Sequence, residues 1–95
     1  MTDIRGVQVV IEGRVQGVGF RYFVREQATS LGLMGWVRNT FDGKVETYAE
    51  GPNDKLEIWL AKLQQGPRSA FVTQIYKEWI EAKGTYKSFQ IAPTQ

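Results

Sequence analysis

The chain has 95 residues, 42% of them hydrophobic and 13% aromatic, a length and composition that suit one small domain and leave no room for two. Twelve Lys and Arg against ten Asp and Glu give a net charge of +2, too slight a surplus to argue for nucleic acid. Cysteine and histidine are both absent, which removes disulfides, a thiol nucleophile and most zinc, haem and iron–sulfur sites.

At the N-terminus, Met1-Thr2-Asp3-Ile4-Arg5 lacks the charged-then-apolar layout of a signal peptide. No run approaches the ~20 apolar residues of a membrane helix, so the expectation is a cytoplasmic protein with no membrane association. Val7 to Glu12 alternate, with Val7, Val9 and Ile11 on one face and Gln8, Val10 and Glu12 on the other, which predicts a strand. A glycine-punctuated stretch from Gly13 to Gly19 follows. Phe20, Phe23, Val24, Ala28 and Leu31 then recur at helical spacing, and Gly32 is placed to cap that helix.

Met34 to Asn39 and Lys44 to Glu50 read as two antiparallel strands around Thr40-Phe41-Asp42-Gly43, whose Asp-Gly pair signals a hairpin. Gly51-Pro52-Asn53 is expected to break the second of them. Leu56, Trp59, Leu60 and Leu63 mark a second amphipathic helix that stops before Gly66-Pro67. Phe71 to Trp79 alternate as a fourth strand, and Phe89 and Ile91 suggest a short fifth one at an edge, ended by Pro93. The patterns around Trp36, Trp59 and Trp79 assign the three indoles to core or rim packing.

The order strand, helix, strand, strand, helix, strand predicts an α+β, ferredoxin-like split βαβ sandwich: an antiparallel sheet of four to five strands with two helices packed on one face. The first and third strands should be central, so the loop after the first opens beside the middle of the sheet. That loop, Gly13-Arg14-Val15-Gln16-Gly17-Val18-Gly19-Phe20-Arg21, has the chemistry of an anion site. Glycines let successive backbone N–H groups turn inward, the first amides of a helix have no partner within it, and an arginine fork adds a charge-assisted contact. Arg14, Arg21, Arg25 and Arg38 all fall in or near the loops of the first half and are expected to bias one mouth of the domain toward small anions. Nucleotide, phosphate and carboxylate all remain open on this reading of the loop.

Gly13 through Arg21 fits the pattern Gly-x-Val-Gln-Gly-Val-x-Phe-Arg, and Gly35-Trp36-Val37-Arg38-Asn39 with Gly43, Val45 and Gly51 fits a second block at matching spacing. The two blocks together resemble the acylphosphatases, and the resemblance in element order runs from about Val7 to the last strand. It implies hydrolysis of the carboxyl–phosphate bond of an acyl phosphate to carboxylate and inorganic phosphate, the latter acting as product or inhibitor. By motif position, Arg21 would hold the phosphoryl group, and the backbone amides of Val15, Gln16, Gly17, Val18, Gly19 and Phe20 would bind its remaining oxygens. Asn39 would orient the attacking water, whose proton a substrate oxygen would receive.

No cofactor and no metal are implied, since Glu12 and Asp42, the acids adjacent to the two blocks, fill no family ligand position. The expected form is a monomer, one domain over residues 1–95, free-standing with its own Met1 rather than fused inside a larger carbamoyl-transfer maturation protein. The end of the chain departs from the family pattern. Relatives commonly finish soon after a Phe-x-Ile-Arg-Tyr-like strand, whereas this chain reads Phe89-Gln90-Ile91-Ala92-Pro93-Thr94-Gln95, so no role of the family's last residues toward the arginine is carried over.

Two other functions compete. An RNA-recognition sheet wants a basic, aromatic-rich third strand, but Lys44-Val45-Glu46-Thr47-Tyr48-Ala49-Glu50 carries two acids and one tyrosine, which argues against it. The alternative closer to the loop is a non-catalytic phosphate- or small-anion-binding module, against which Arg21 and Asn39 together favour an enzyme.

Overall fold

The computed structural model of the chain describes residues 3–95; Met1 and Thr2, which entered the reading of the N-terminus, lie outside the described residues. The elements run β1 (Ile4–Arg14), α1 (Phe20–Ser30), β2 (Met34–Asn39), β3 (Val45–Pro52), α2 (Asn53–Gln65), β4 (Phe71–Ile80) and β5 (Phe89–Ile91). They form a five-stranded sheet in the order β4-β1-β3-β2-β5, with β1 and β3 interior as the βαβ logic requires. Both helices cover the face that carries Val7, Val9 and Ile11, all fully buried.

Each helix turns one apolar stripe to that face, Phe20, Val24 and Ala28 from α1 and Leu56, Trp59, Leu60 and Leu63 from α2. Trp59 is fully buried and its indole Nε1–H donates to the Val24 carbonyl at 3.3 Å, so one side chain both fills the core and ties the helices together. Helix α1 ends with Gly32 N–H to Thr29 C=O at 3.1 Å and Leu33 N–H to Ala28 C=O at 2.9 Å, the paired bonds of a Schellman cap.

Two expectations are corrected. The sheet is mixed rather than antiparallel, because β5 runs parallel to β2 with Gly35 opposite Phe89 and Val37 opposite Ile91. Strand β4 finishes at the end of the sheet where β2 begins, so the connection delivers β5 there, and β5 must then run with β2. Gly51-Pro52 does not break β3, which continues to pair with β1 through Gly51 opposite Arg5 and Pro52 opposite Ile4. The β2 ladder stops at Glu50 opposite Met34, so Pro52 has a free side on which no N–H is needed. The hairpin expected around Thr40-Phe41-Asp42-Gly43 is present, closed by Thr40 N–H to Lys44 C=O at 2.9 Å.

The β4–β5 connection also lies over part of the sheet face that the helices leave uncovered. There Tyr48 is fully buried and Glu50 is 5% exposed. The Tyr48 hydroxyl donates to the Glu50 carboxylate at 2.6 Å, and the Lys83 and Gly84 N–H groups donate to it at 2.9 and 3.0 Å. The ring of Tyr86 sits 5.5 Å from that of Tyr48.

Candidate functional site

The register of the sheet sets Ile11, Val45 and Asn39 in one row across β1, β3 and β2, near the end where β1 leaves the sheet. Strand alternation puts Asn39 on the same face as Val37, the face the helices cover. The loop that leaves β1 returns over this end as the start of α1. Val15 and Phe20 are each 1% exposed and anchor its two ends in the core. Gly17 and Gly19 sit at φ 71° and 76°, and a Cβ at either would meet nothing within 4 Å, so backbone conformation rather than space demands glycine here.

Gly19 is the N-cap of α1 without a side-chain cap, and the first helical bond runs from Phe23 N–H to its carbonyl at 3.1 Å. Among the described residues, the backbone N–H groups from Gln16 to Phe20 engage no protein oxygen. Two bonds hold this loop to its neighbours. The Gln16 Nε2 group donates to the Thr40 carbonyl at 2.7 Å and to the Lys44 carbonyl at 2.9 Å, which fixes the loop against the turn that follows Asn39. On the other side the Ser69 hydroxyl donates to the Val18 carbonyl at 3.4 Å. The sequence motif placed Gln16 here for its backbone amide; its side-chain role is visible only once the turn is beside it.

Arg21, in the first turn of α1, is half-buried and makes no ion pair or side-chain hydrogen bond among the described residues. The Asn39 Oδ1 atom is buried and has no hydrogen-bond partner there either. Its backbone is held, however: Gln95 N–H donates to the Asn39 carbonyl at 3.1 Å, Phe41 N–H donates to the Gln95 carbonyl at 3.0 Å, and Ala92 N–H donates to the Val37 carbonyl at 2.8 Å. The divergent last residues therefore brace the Asn39 strand and its turn.

The nearby acids are committed elsewhere. Lys44 Nζ lies 3.3 Å from Glu12 and 3.5 Å from Asp42, and the Thr40 hydroxyl donates to Asp42. That hydroxyl bond first, and Lys44 second, hold Asp42 below the usual carboxylate range, while Glu12 and Asp42 push Lys44 up. Among the described residues no group of three or more His, Cys, Asp or Glu could hold a metal ion.

The expected arginine mouth is smaller than its count in the sequence. Arg38 faces away from Asn39 by strand alternation, bonds Glu46 Oε1 through Nε at 2.9 Å and Nη2 at 2.6 Å, and lies 4.5 Å from the centre of the Trp36 ring. Its charge is spent on the uncovered face. Arg25 lies 5.3 Å over the Tyr22 ring, and Arg14 is exposed. Two clefts of about 250 and 310 Å³ lie elsewhere, one between α2 and β4 and one beside the C-terminal end of α1. A cradle of amides for a group as small as phosphate needs no deep cavity.

The arrangement can do two things. The loop amides and the Arg21 guanidinium are donors suited to a tetrahedral anion, the guanidinium bidentately. A neutral amide oxygen without a donor can accept a hydrogen from a water and so fix that water's direction without changing protonation state.

Comparison with known proteins bears on the same stretch of chain. The family model described as Acylphosphatase matches residues 7–91. An acylphosphatase of Syntrophotalea carbinolica is 46% identical over 91 residues, covering 96% of this chain and 98% of that one. The crystal structure of an acylphosphatase from Bacillus subtilis superposes with a TM-score of 0.90 at 38% identity, covering 93% of this chain and 98% of that one. Full-length HypF, in a phosphate- and nucleotide-bound form, matches with a TM-score of 0.89 at 30% identity, covering 99% of this chain but 12% of HypF.

Proposed function

The chain belongs to the acylphosphatase family and is a hydrolase of acyl phosphates, and we propose that Arg21 and the loop amides of Val15 to Phe20 hold the phosphoryl group while Asn39 positions the water that attacks it. The water oxygen forms a bond to phosphorus as the bond to the carboxyl oxygen breaks, and the acyl group leaves as carboxylate with the electron pair. The proton released from the water passes to a substrate oxygen. Charge that develops on the phosphoryl oxygens meets donors already oriented by the loop and helix, so little reorganisation is needed during the reaction. A carboxylate is a good leaving group, which is why positioning and charge stabilisation suffice without a nucleophilic side chain.

The observation that carries the assignment is the buried, unpartnered Asn39 Oδ1 in the same sheet row as the strand that feeds the loop. A buried acceptor without a partner costs stability and persists where it has a use. The test is Asn39→Ala assayed for phosphate release from benzoyl phosphate. Turnover should fall by about 100-fold while inhibition by inorganic phosphate stays within about twofold. A matching loss of phosphate affinity would contradict this division of labour.

We further infer one domain over residues 1–95 acting as a monomer in the cytoplasm. The core that both helices share supports the first part, and a composition without cysteine is compatible with the last. No helix among the described residues is long and apolar enough to cross a membrane.

A further inference from the structure

The loop after β1 is anchored in the core at its two ends by the buried side chains of Val15 and Phe20. Between them Gly17 and Gly19 have positive φ and open space around each, so sterics alone do not confine this backbone to one path. Asn39 is carried elsewhere, at the end of β2, and the turn that follows it runs to Lys44 at the start of β3. Phosphoryl cradle and water-positioning amide therefore belong to separate segments of chain. In-line attack needs them at one fixed separation, and a misplacement of about 1 Å is enough to cost as much as 100-fold in rate.

One side chain joins the two segments. The half-buried Gln16 donates from Nε2 to the Thr40 carbonyl at 2.7 Å and to the Lys44 carbonyl at 2.9 Å, so both of its amide hydrogens are used on the two residues that close the hairpin. Thr40 directly follows Asn39, and its own N–H donates to the Lys44 carbonyl at 2.9 Å, which locks the two acceptors to each other. Among the described residues no other hydrogen bond links Val15 to Gly19 with the hairpin. The hold on the opposite side of the loop, from the Ser69 hydroxyl to the Val18 carbonyl, is a single longer bond of 3.4 Å.

The geometry asks for two donors on a side chain of this length. Glutamate has the same shape but, ionised, only accepts, so it would set its lone pairs against both carbonyls; methionine has the length and no N–H to give. We propose that the Gln16 side chain is a positioning residue for the hydrolysis: by bridging the loop to the Asn39 turn it fixes the bound phosphorus relative to the attacking water. This rests on the reading of the loop as the phosphoryl cradle and of Asn39 as the residue that orients the water.

The experiment is a double-mutant cycle on benzoyl phosphate hydrolysis with Gln16→Met, Asn39→Ala and the two combined, and with Gln16→Glu as a second single variant. Gln16→Met alone should lower kcat about tenfold, with KM and inhibition by inorganic phosphate within about twofold, because the backbone donors of the cradle remain. Gln16→Glu should lower kcat at least as far although it keeps the shape. In the Asn39→Ala background, Gln16→Met should cost less than about twofold more, since no oriented water is left to place. An equal fall in both backgrounds overturns the proposal, as does a fall that follows phosphate affinity or full kcat in Gln16→Met. The reading of the site fails separately, in Asn39→Ala alone, if turnover is unchanged there.

Discussion

At the end of β3, the Lys83 and Gly84 amides and the Tyr48 hydroxyl converge on the Glu50 carboxylate. At the other end of the sheet, the amides from Gln16 to Phe20 have no protein oxygen among the described residues to accept from them. The device is the same, a short run of backbone donors that includes glycine with φ near 71°. In one place the chain supplies its own anion and the donors become a clasp that fastens a strap. In the other the described residues supply none, and the proposed function gives those donors an anion from solution. The arginines repeat the contrast, Arg38 paired with Glu46 and Arg21 without an ion pair among the described residues. A satisfied donor set stabilises a fold, whereas an unsatisfied one held in place by its surroundings is what the proposed site requires.

The largest effect should come from the open cradle. Arg21→Ala removes the only guanidinium proposed to touch the substrate, and kcat/KM should fall by about 1000-fold or more together with loss of phosphate inhibition, while thermal stability stays nearly unchanged. Normal phosphate inhibition in that variant would break the comparison on the functional side. Glu50→Ala strikes the filled clasp and should do the reverse. It leaves three donors without their acceptor and should lower stability by about 3 kcal/mol, seen as a fall in Tm, with kcat of the folded enzyme unchanged.

Gln16→Leu sits between the two cases, because its side chain is a structural bond serving a functional loop. The expected loss is about tenfold in kcat/KM, with at most about 1 kcal/mol of stability, and a purely structural residue would show the second change without the first. The smallest effect concerns pH. Burial first, and then the bond to Glu50, push the Tyr48 hydroxyl well above its ordinary value of 10.0. Since the folded value exceeds the unfolded one, the associated stability is complete below pH 10 and declines as pH rises through the raised value. Tyr48→Phe should therefore lower Tm modestly at neutral pH and flatten its alkaline decline; an unchanged alkaline limb would show that another group governs it.

Much of this was legible residue by residue. The alternation at Val7, Val9 and Ile11 and the helical spacing from Phe20 to Ala28 follow from local geometry, and both appear where expected. Arg21 and Asn39 are proposed as a pair through two blocks in register, although no single-residue property marks Asn39. Arg38 is the instructive failure. It neighbours Asn39 in sequence and looked like part of a cationic mouth, but the period of two sends adjacent strand residues to opposite faces. The strap was illegible for another reason, since Glu50 contacts residues more than thirty positions away and no local pattern announces them.

The sequence by itself determined the element order, the glycine loop, the arginine at the helix start and the apolar faces, because each depends on backbone preferences and periodicities only a few residues long. Tertiary structure decided that β5 runs parallel to β2, that Gln16 fastens the loop to the Asn39 turn, and that Glu50 rather than Asn39 receives the protein's own donors. Those outcomes depend on which distant groups lie within hydrogen-bonding reach, and at about 3 Å a bond is made or lost by placements that only the assembled sheet can set.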